Sequence, residues 1–292
     1  MPYADSDGVR LYLEETGKGT PIVFVHEFAD DLRSWEPQMR FFSRRYRCIA
    51  YNARGYPPSD VPKPRNRYSQ SIAADDVANV MRHLGVKQAH VIGCSMGGYA
   101  TLHFGLTYPK MALSLTAVGA GYGSDPDKRE QFLSDTEVMA KRFDELGTAE
   151  AVKPYQVGPA RVQFQNKDPR GFAQFCAEFA KHSALGSANT LRGVQAKRPT
   201  VYALGRGLSR LRVPLHVVSG DEDNNCLEPA LFIKRVCPSA WLSVIPNTGH
   251  AVNVEEPDLF NRLTAEFLAQ VDSGRWRPRD PRSLTKSTMQ SR

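Results

Sequence analysis

Continuous apolar runs that alternate with helical patterns are the feature that most limits what this chain can fold into. Runs rich in β-branched residues are typical of strands buried on both faces of a sheet. They are PIVFVHE at 21–27, RCIAYN at 47–52, HVIGCS at 90–95, MALSLTAV at 111–118, LHVVSGDED at 215–223 and AWLSVIP at 240–246. Between them, apolar side chains recur at helical spacing, as at Leu32, Trp35 and Met39. This alternation predicts an α/β fold with a mostly parallel sheet.

The pattern changes between residues 122 and 210, where helical stretches occur without a convincing strand. A chain of 292 residues is long enough for one large domain with an insertion or for two small domains. The alternation of strand and helix resumes after residue 210. We therefore predict an α/β core made of residues 1–121 and 211–271, with residues 122–210 as a helical cap insertion.

The net charge of +7 is concentrated at the end of the chain. Residues 272–292 carry six basic and two acidic side chains and little apolar surface, so we expect a basic, mobile C-terminal tail whose deletion has little effect. The rest of the chain is nearly neutral, and 41% hydrophobic with 24% charged residues is an ordinary globular composition. This composition excludes wholesale disorder and a membrane-embedded protein, and we expect no nucleic-acid partner.

Neither a targeting segment nor a metal motif is recognisable in the sequence. The start, MPYADSDGVR, lacks a basic and then apolar leader, and no apolar run approaches the roughly 18 residues of a spanning helix. We therefore expect a cytoplasmic protein without membrane contact. The five cysteines form no CxxC pair and have no histidine at zinc-ligand spacing, which favours buried free thiols and no metal site.

The sharpest local signal is GCSMG at residues 93–97, a GxSxG motif between a predicted strand and a predicted helix. Such a turn holds the serine in a strained backbone conformation at the carboxyl edge of the sheet. The two glycines allow the strand and the helix to approach each other closely. The motif alone occurs by chance, but the strand before it and the helix after it make Ser95 the candidate nucleophile.

A serine hydroxyl needs a histidine to take its proton and a carboxylate to orient that histidine. His250 follows the last predicted strand, and Asp223 lies at the end of the strand before it. Because the carboxyl ends of parallel strands meet at one edge of a sheet, we expect Ser95, Asp223 and His250 to converge there. Asp221 and Glu222 compete for the acid role, and we favour Asp223, which stands farthest from the strand in a G-x-x-D spacing.

The reaction also needs two backbone amides that face the developing oxyanion. The amide of Met96, directly after the nucleophile, is one candidate. The second is expected from the loop after an early strand, HEFAD at 26–30, and we assign it to Phe28. The sequence therefore predicts an oxyanion hole built from two separate loops.

Together these motifs resemble those of the α/β-hydrolase fold superfamily over residues 8–271. The motifs are His26 with its loop, NARGYPPS at 52–59, GCSMGG at 93–98, Gly220 to Asp223, and Gly249-His250 followed by Glu255-Glu256-Pro257. The resemblance implies a twisted, mostly parallel sheet of eight strands with helices on both faces. The chain looks like the capped branch of serine hydrolases and esterases, which includes lactonases, carbon–carbon bond hydrolases and cofactor-free haloperoxidases. In that branch the insertion after the sixth strand lies over the active site.

The nucleophile narrows the chemistry that this resemblance implies. Haloalkane dehalogenases and epoxide hydrolases of this fold use Asp at the position of Ser95, whereas a serine fits acyl transfer. We expect hydrolysis of a carboxylic ester or lactone of a small, partly apolar substrate, without a cofactor. The alternatives are a carbon–carbon bond hydrolase of aromatic-ring degradation and a non-catalytic ligand-binding protein on the same fold. The oligomeric state, monomer or homodimer, stays open.

Four further residues are candidates for contact with the substrate. Where the family usually has His-Gly, this chain has His26-Glu27, which puts a carboxylate beside a site for negative charge. Glu27 either forms a structural ion pair, with Arg54 as one candidate partner, or faces the substrate and selects a neutral or cationic one. Phe172 and Phe175 are candidates for contact with an apolar group, although their helical spacing also suits packing between helices.

Overall fold

A computed structural model describes residues 2–284 and shows one sheet of eight strands in that part of the chain. The strands are β1 Tyr3–Ser6, β2 Val9–Thr16, β3 Thr20–Val25, β4 Tyr46–Tyr51, β5 Ala89–Cys94, β6 Ala112–Val118, β7 Leu215–Gly220 and β8 Ala240–Ile245. Their order across the sheet is β1-β2-β4-β3-β5-β6-β7-β8. β2 runs antiparallel to β1 and β4, and the other neighbouring pairs are parallel. The prediction of an α/β fold with a mostly parallel, eight-stranded sheet is confirmed.

The central strands are covered on both faces, as their apolar runs predicted. Every residue of β5 and β7 is buried. β1 was not indicated by any pattern, because its four residues are too few to show a period. Since β3 to β8 run in the same direction, their carboxyl ends share one edge of the sheet. The loops that follow β3, β5, β7 and β8 therefore meet at that edge.

Helices pack on both faces of the sheet and also form most of the segment between β6 and β7. They are α1 Glu36–Phe42, α2 Gln70–His83, α3 Met96–Thr107, α4 Arg129–Leu146, α5 Thr148–Ala151, α6 Lys153–Gln156, α7 Val162–Lys167, α8 Pro169–Phe179, α9 Ala184–Thr190, α10 Gly205–Leu208, α11 Leu227–Val236, α12 Val252–Glu255 and α13 Pro257–Asp272. Val23 of β3 faces the apolar layer of α2, α3 and α11, and its neighbour Phe24 faces that of α1 and α13. This alternation along one strand is what a two-sided core requires.

Side-chain caps set where several helices begin. The Ser69 hydroxyl accepts the amide of Ile72 at 3.1 Å, so α2 starts at residue 70. The Asp168 carboxylate accepts the amide of Gly171 at 2.8 Å, and Pro169 occupies the first position of α8. Among residues 2–284 no helix has both the length and the apolar composition needed to cross a membrane.

Residues 122–210, which we call the helical insertion, connect β6 to β7 and lie over the carboxyl edge of the sheet. Phe28, in the loop after β3, packs edge-to-face on Phe143 of α4 and Phe179 of α8, with ring centroids 6.2 and 6.0 Å apart. One apolar cluster contains side chains from the strand loops and from the insertion. The loops at this edge are therefore enclosed by the insertion.

The C-terminal segment packs more than its composition suggested, so the expectation of a tail that is mobile from residue 272 needs correction for residues 272–284. The carboxylate of Asp272 lies 3.0 Å from Nε2 of the buried His90. Trp276 is half-buried against the apolar layer formed by α1 and α13. The predicted basic tail continues through residues 285–292, which lie outside the described residues.

We expect Trp276→Ala to lower the free energy of unfolding by about 1–2 kcal/mol, because it re-exposes apolar surface of the core and removes an indole that is half-buried there. Urea denaturation followed by circular dichroism measures this loss. Arg277→Ala, which changes an exposed neighbour, is the matched control and is expected to stay within about 0.5 kcal/mol. Equal stability of the two variants would contradict the packing of this segment.

Candidate active site

The turn between β5 and α3 presents Ser95 in a backbone conformation that non-glycine residues rarely adopt. Its φ is +53° and its ψ is −109°. The turn is tight because β5, α3 and β3 nearly touch. A Cβ atom on Gly93 would lie 2.1 Å from the carbonyl oxygen of Gly97, and one on Gly97 would lie 2.1 Å from that of Val25. Both glycines are required by this close approach, which leaves Ser95 at the carboxyl edge of the sheet.

Asp223 and His250 meet in the loops after β7 and β8. His250 Nδ1 lies 2.6 Å from Asp223 Oδ2, and both side chains are buried. Burial alone would lower the pKa of His250, but the charge and hydrogen bond of Asp223 outweigh it and raise this pKa. Burial would raise the pKa of Asp223, and the charge of His250 outweighs that effect and lowers it. With the Nδ1 proton held by Asp223, Nε2 of His250 is the nitrogen left for other contacts.

The other two carboxylates of the loop after β7 are used elsewhere. Asp221 Oδ1 accepts a backbone amide of the loop after β8 at 3.1 Å. Glu222 Oε2 accepts Nε2 of Gln163, in the helical insertion, at 2.6 Å. Both side chains are exposed, whereas Asp223 is buried. Of the three competing acids, the structure brings Asp223 to His250.

Ser95 and His250 line one cavity beneath the helical insertion. The cavity encloses about 530 Å³, part of it open to solvent. Its other lining residues are Phe28, Tyr122, Phe132, Asp135, Thr136, Met139, Tyr155, Leu191 and Gln195. Among these residues of the described chain, Asp135 carries the single charge. The wall is mainly aromatic and aliphatic, which suits an apolar group more than an anion.

The two predicted oxyanion donors are the amides of Phe28, a residue that lines this cavity, and of Met96, which follows Ser95 directly. Met96 is the first residue of α3, where helical amides lack an intrahelical partner. The hydroxyl of Tyr56 donates to the carbonyl of Phe28 at 3.0 Å and so holds the peptide of the loop after β3. Within residues 2–284 neither amide has a protein acceptor. Both N–H groups are therefore available to an external acceptor.

His26 supports the loop after β3 through both ring nitrogens, and its contact with the substrate stays a prediction. Its Nε2 accepts the amide of Ala53 at 3.0 Å, so its Nδ1 carries the proton and donates to the carbonyl of Glu27 at 2.6 Å. The ring is fully buried and packs on Tyr56 with centroids 4.6 Å apart. Burial lowers the pKa of His26, in keeping with a neutral, hydrogen-bonded ring.

Glu27 pairs with Arg161 of the helical insertion, not with Arg54. Its Oε2 lies 2.6 Å from Nη2 of Arg161, and the two side chains are only 4% and 1% exposed. Arg54 instead pairs with Asp76 at 2.6 Å. Burial would raise the pKa of Glu27, but the Arg161 charge outweighs it and lowers this pKa. Sequence reasoning missed Arg161, because 134 residues separate the partners and no local pattern marks either.

Phe172 and Phe175 pack within the insertion, and their contact with the substrate stays a prediction. Their ring centroids lie 6.1 Å apart, and each lies 5.8 Å from that of Phe164. Phe175 also lies under the guanidinium of Arg161, at 4.9 Å. Tyr122 lines the cavity without having been singled out in the sequence, because it follows β6 with no helical period around it.

Asp223, Cys226 and His250 form the group of side chains in residues 2–284 that could hold a metal ion, with donor atoms within 4.8 Å of one another. Two of these atoms share the 2.6 Å hydrogen bond described above. A metal ion would have to displace the proton of that bond and separate Asp223 from His250. The hydrogen bond between a carboxylate and an imidazole is the chemistry that this geometry favours.

Comparison with known proteins agrees with the fold. The family model for the alpha/beta hydrolase fold matches residues 20–257, and the chain belongs to that family. It is 34% identical over 279 residues to epoxide hydrolase 1 of Caenorhabditis elegans, covering 89% of this chain and 68% of that protein. These relatives support a hydrolase.

Two solved structures share both the fold and recognisable sequence identity. One is Est816, described as an N-acyl homoserine lactone degrading enzyme, with 27% identity and a TM-score of 0.75 over 91% of this chain and all of that one. The other is a thermophilic esterase from Thermogutta terrifontis, with 25% identity and a TM-score of 0.79 over 92% of this chain and 97% of that one.

We expect Gly97→Ala to lower the free energy of unfolding by about 1–3 kcal/mol, since its methyl group collides with the backbone carbonyl of Val25. Thermal and urea denaturation of the purified variant measure the loss. Gly207→Ala is the matched control, because its added Cβ meets only the end of the Leu106 side chain at 3.1 Å. A Gly97→Ala protein as stable as this control would overturn the close-approach argument.

Proposed function

We propose that this chain is a serine hydrolase that cleaves a carboxylic ester or lactone through an acyl-enzyme on Ser95. The observation that carries the proposal is the position of His250. Its Nδ1 is hydrogen-bonded to Asp223, and its ring lines the cavity that contains the strained Ser95. Serine activation needs an acid, a base and a nucleophile in this order.

In the proposed reaction His250 Nε2 takes the proton of the Ser95 hydroxyl as its oxygen attacks the substrate carbonyl. Asp223 stabilises the imidazolium that forms, and the amides of Phe28 and Met96 donate to the oxyanion. His250 then gives the proton to the leaving alkoxide, which departs as an alcohol. Water attacks the acyl-enzyme with His250 again as base, and the acid product leaves Ser95 free.

The wall of the cavity supports a neutral substrate with an apolar or aromatic group. Four aromatic side chains, Phe28, Tyr122, Phe132 and Tyr155, contribute to it. The one charge in the lining is negative, on Asp135, and a substrate carboxylate would be repelled there. The guanidinium of Arg161 is already neutralised by Glu27.

Relatives with this fold catalyse different reactions, so we use the identity of the nucleophile to choose among those reactions. The epoxide hydrolase relative belongs to a class whose nucleophile we expect to be Asp, whereas this chain carries Ser95. The lactone-degrading and esterase neighbours fit a serine nucleophile. A carbon–carbon bond hydrolase and a ligand-binding protein are the remaining alternatives, and substrate tests separate them.

We expect the purified chain to hydrolyse p-nitrophenyl esters, with Ser95→Ala removing turnover and Asp223→Asn lowering kcat about 10⁴-fold. Steady-state kinetics with esters from acetate to octanoate measure both effects. The acyl chain length with the highest kcat/KM indicates the size of the acyl-binding site. Asp221→Asn changes a carboxylate of the same loop that does not contact His250, so it is the matched control and should retain activity.

Two outcomes would contradict ester hydrolysis. A vinylogous diketone turned over faster than any ester would favour the carbon–carbon bond hydrolase. The absence of turnover for all substrates, with no labelling of Ser95 by a fluorophosphonate, would favour the ligand-binding protein.

We expect kcat/KM to fall as the pH is lowered through the pKa of His250, because only the neutral imidazole accepts the serine proton. Since Asp223 raises this pKa, the fall should be centred above the ordinary histidine value of about 6.5. In Asp223→Asn the residual activity should fall at a lower pH, because burial lowers the pKa of His250 and the charge of Asp223 that offsets it is gone. A profile that stays flat down to pH 5 would exclude His250 as the base.

A further inference from the structure

The three-residue turn Pro159–Arg161, which precedes α7, touches two loops of the candidate site at once. Through its side chain, Arg161 contacts Glu27, the residue before Phe28 in the loop after β3. Through its backbone, the same turn contacts the loop after β8, since the Ala160 carbonyl accepts the amide of His250 at 3.3 Å. One turn of the insertion thus borders both the oxyanion loop and the candidate base.

The Glu27–Arg161 pair lies in surroundings of low polarity. The guanidinium carbon of Arg161 lies 4.9 Å from the ring centre of Phe175 and 5.5 Å from that of Tyr155. Nη2 is 2.6 Å from Glu27 and 3.5 Å from the Tyr155 hydroxyl, whereas Nε and Nη1 are buried without an acceptor in residues 2–284. Glu27 is therefore the carboxylate that anchors this side chain, and loss of either partner leaves a buried, unpaired charge.

The carbonyls of Glu27 and Phe28, on either side of the Phe28 Cα atom, each accept a hydrogen bond. His26 Nδ1 donates to the carbonyl of Glu27, and Tyr56 donates to the carbonyl of Phe28. The ion pair adds a third point of attachment, and it ties this loop to the insertion and not to the core. The orientation of the Phe28 amide is thereby coupled to the turn that contains Arg161.

We propose that Glu27 and Arg161 form a positioning pair. The pair fixes the Phe28 amide and His250 in position relative to the helical insertion, and its two opposite charges compensate each other beside His250. This inference rests on the proposed function of the same site. Neither residue is assigned to touch the substrate. Arg161 marks a position that the sequence alone does not single out, and Glu27 fills a position where the family usually has glycine.

Four titratable groups from three segments of the chain face His250. Asp223 follows β7, Cys226 precedes α11 with Sγ 3.9 Å from His250 Nδ1, Glu27 follows β3, and Arg161 lies in the insertion. Glu27 and Asp223 raise the pKa of His250, and Arg161 lowers it. Removing the Glu27 charge alone leaves Arg161 uncompensated, so the titration of His250 should move to lower pH.

The experiment compares the intact chain with Glu27→Gln, Glu27→Asp and the double variant Glu27→Gln/Arg161→Met. The titration midpoint of His250 is read by NMR of the histidine ring protons, with His250→Gln used for assignment. We expect Glu27→Gln to lower this midpoint by about one pH unit. Glu27→Asp keeps the charge, and the double variant removes both charges. In both variants the midpoint should therefore lie close to that of the intact chain.

The same variants are tested in ester hydrolysis at a pH where His250 is neutral. Misplacement of the Phe28 amide should reduce kcat of Glu27→Gln about 10- to 100-fold, with KM changed far less. Asp76→Asn is the matched control, because it removes the charge of the other buried ion pair, with Arg54, which does not contact the loops of His250. It should lower stability without moving the His250 midpoint.

The two readouts separate this inference from the proposed function. An unchanged His250 midpoint and unchanged kcat in Glu27→Gln would overturn the positioning pair while leaving ester hydrolysis intact. A shifted midpoint in a chain that hydrolyses no ester would support the pair and reject the proposed function. If Glu27→Gln does not fold, the double variant Glu27→Gln/Arg161→Met replaces it. A kcat of the double variant equal to that of the intact chain would overturn the proposal of a positioning pair.

Discussion

The close approach of β5, α3 and β3 is the constraint on which the rest of the site depends. Because the Cα atoms of Gly93 and Gly97 lie so near neighbouring backbone carbonyls, no side chain fits at either position. The chain between them must turn sharply, and Ser95 takes up the strain with a φ of +53°. The same turn starts α3, so the amide of Met96 faces outward beside the serine. One packing constraint therefore orients the candidate nucleophile and one candidate oxyanion donor together.

Parallel strands bring the remaining groups to this turn, and burial gives them their electrostatic character. The pair of Asp223 with His250 and the pair of Glu27 with Arg161 lie close to each other, each with atoms 2.6 Å apart. In water such pairs contribute little, but in a buried site each charge depends on its partner. Asp223 shifts the pKa of His250 upward, and Arg161 keeps the Glu27 carboxylate ionised. The site is thus a set of coupled charges enclosed by aromatic side chains.

The helical insertion contributes the walls of the cavity and the charge that compensates Glu27. Tyr122, Phe132 and Tyr155 come from this segment, and they leave Asp135 as the single charged residue of the lining in residues 2–284. Arg161 is turned toward the loop after β3 instead of toward the cavity. An aromatic enclosure with one carboxylate selects by apolar fit and disfavours anions. The turn that contains Arg161 also accepts a hydrogen bond from the backbone amide of His250. The candidate base is therefore in direct contact with the segment that forms the walls of the cavity.

The sequence by itself determined the sheet, the serine turn and the order in which Ser95, Asp223 and His250 follow the strands. Strand burial and tight turns are local requirements, and they leave periodicity, glycines and end-of-strand residues that can be recognised along the chain. The tertiary structure alone decided that Glu27 pairs with Arg161 and that Trp276 packs on the core. These contacts join residues far apart in sequence, and their energies come from burial and from charges brought together by the fold. No periodic pattern along the chain records such a contact, because neither partner needs its neighbours in sequence to form it.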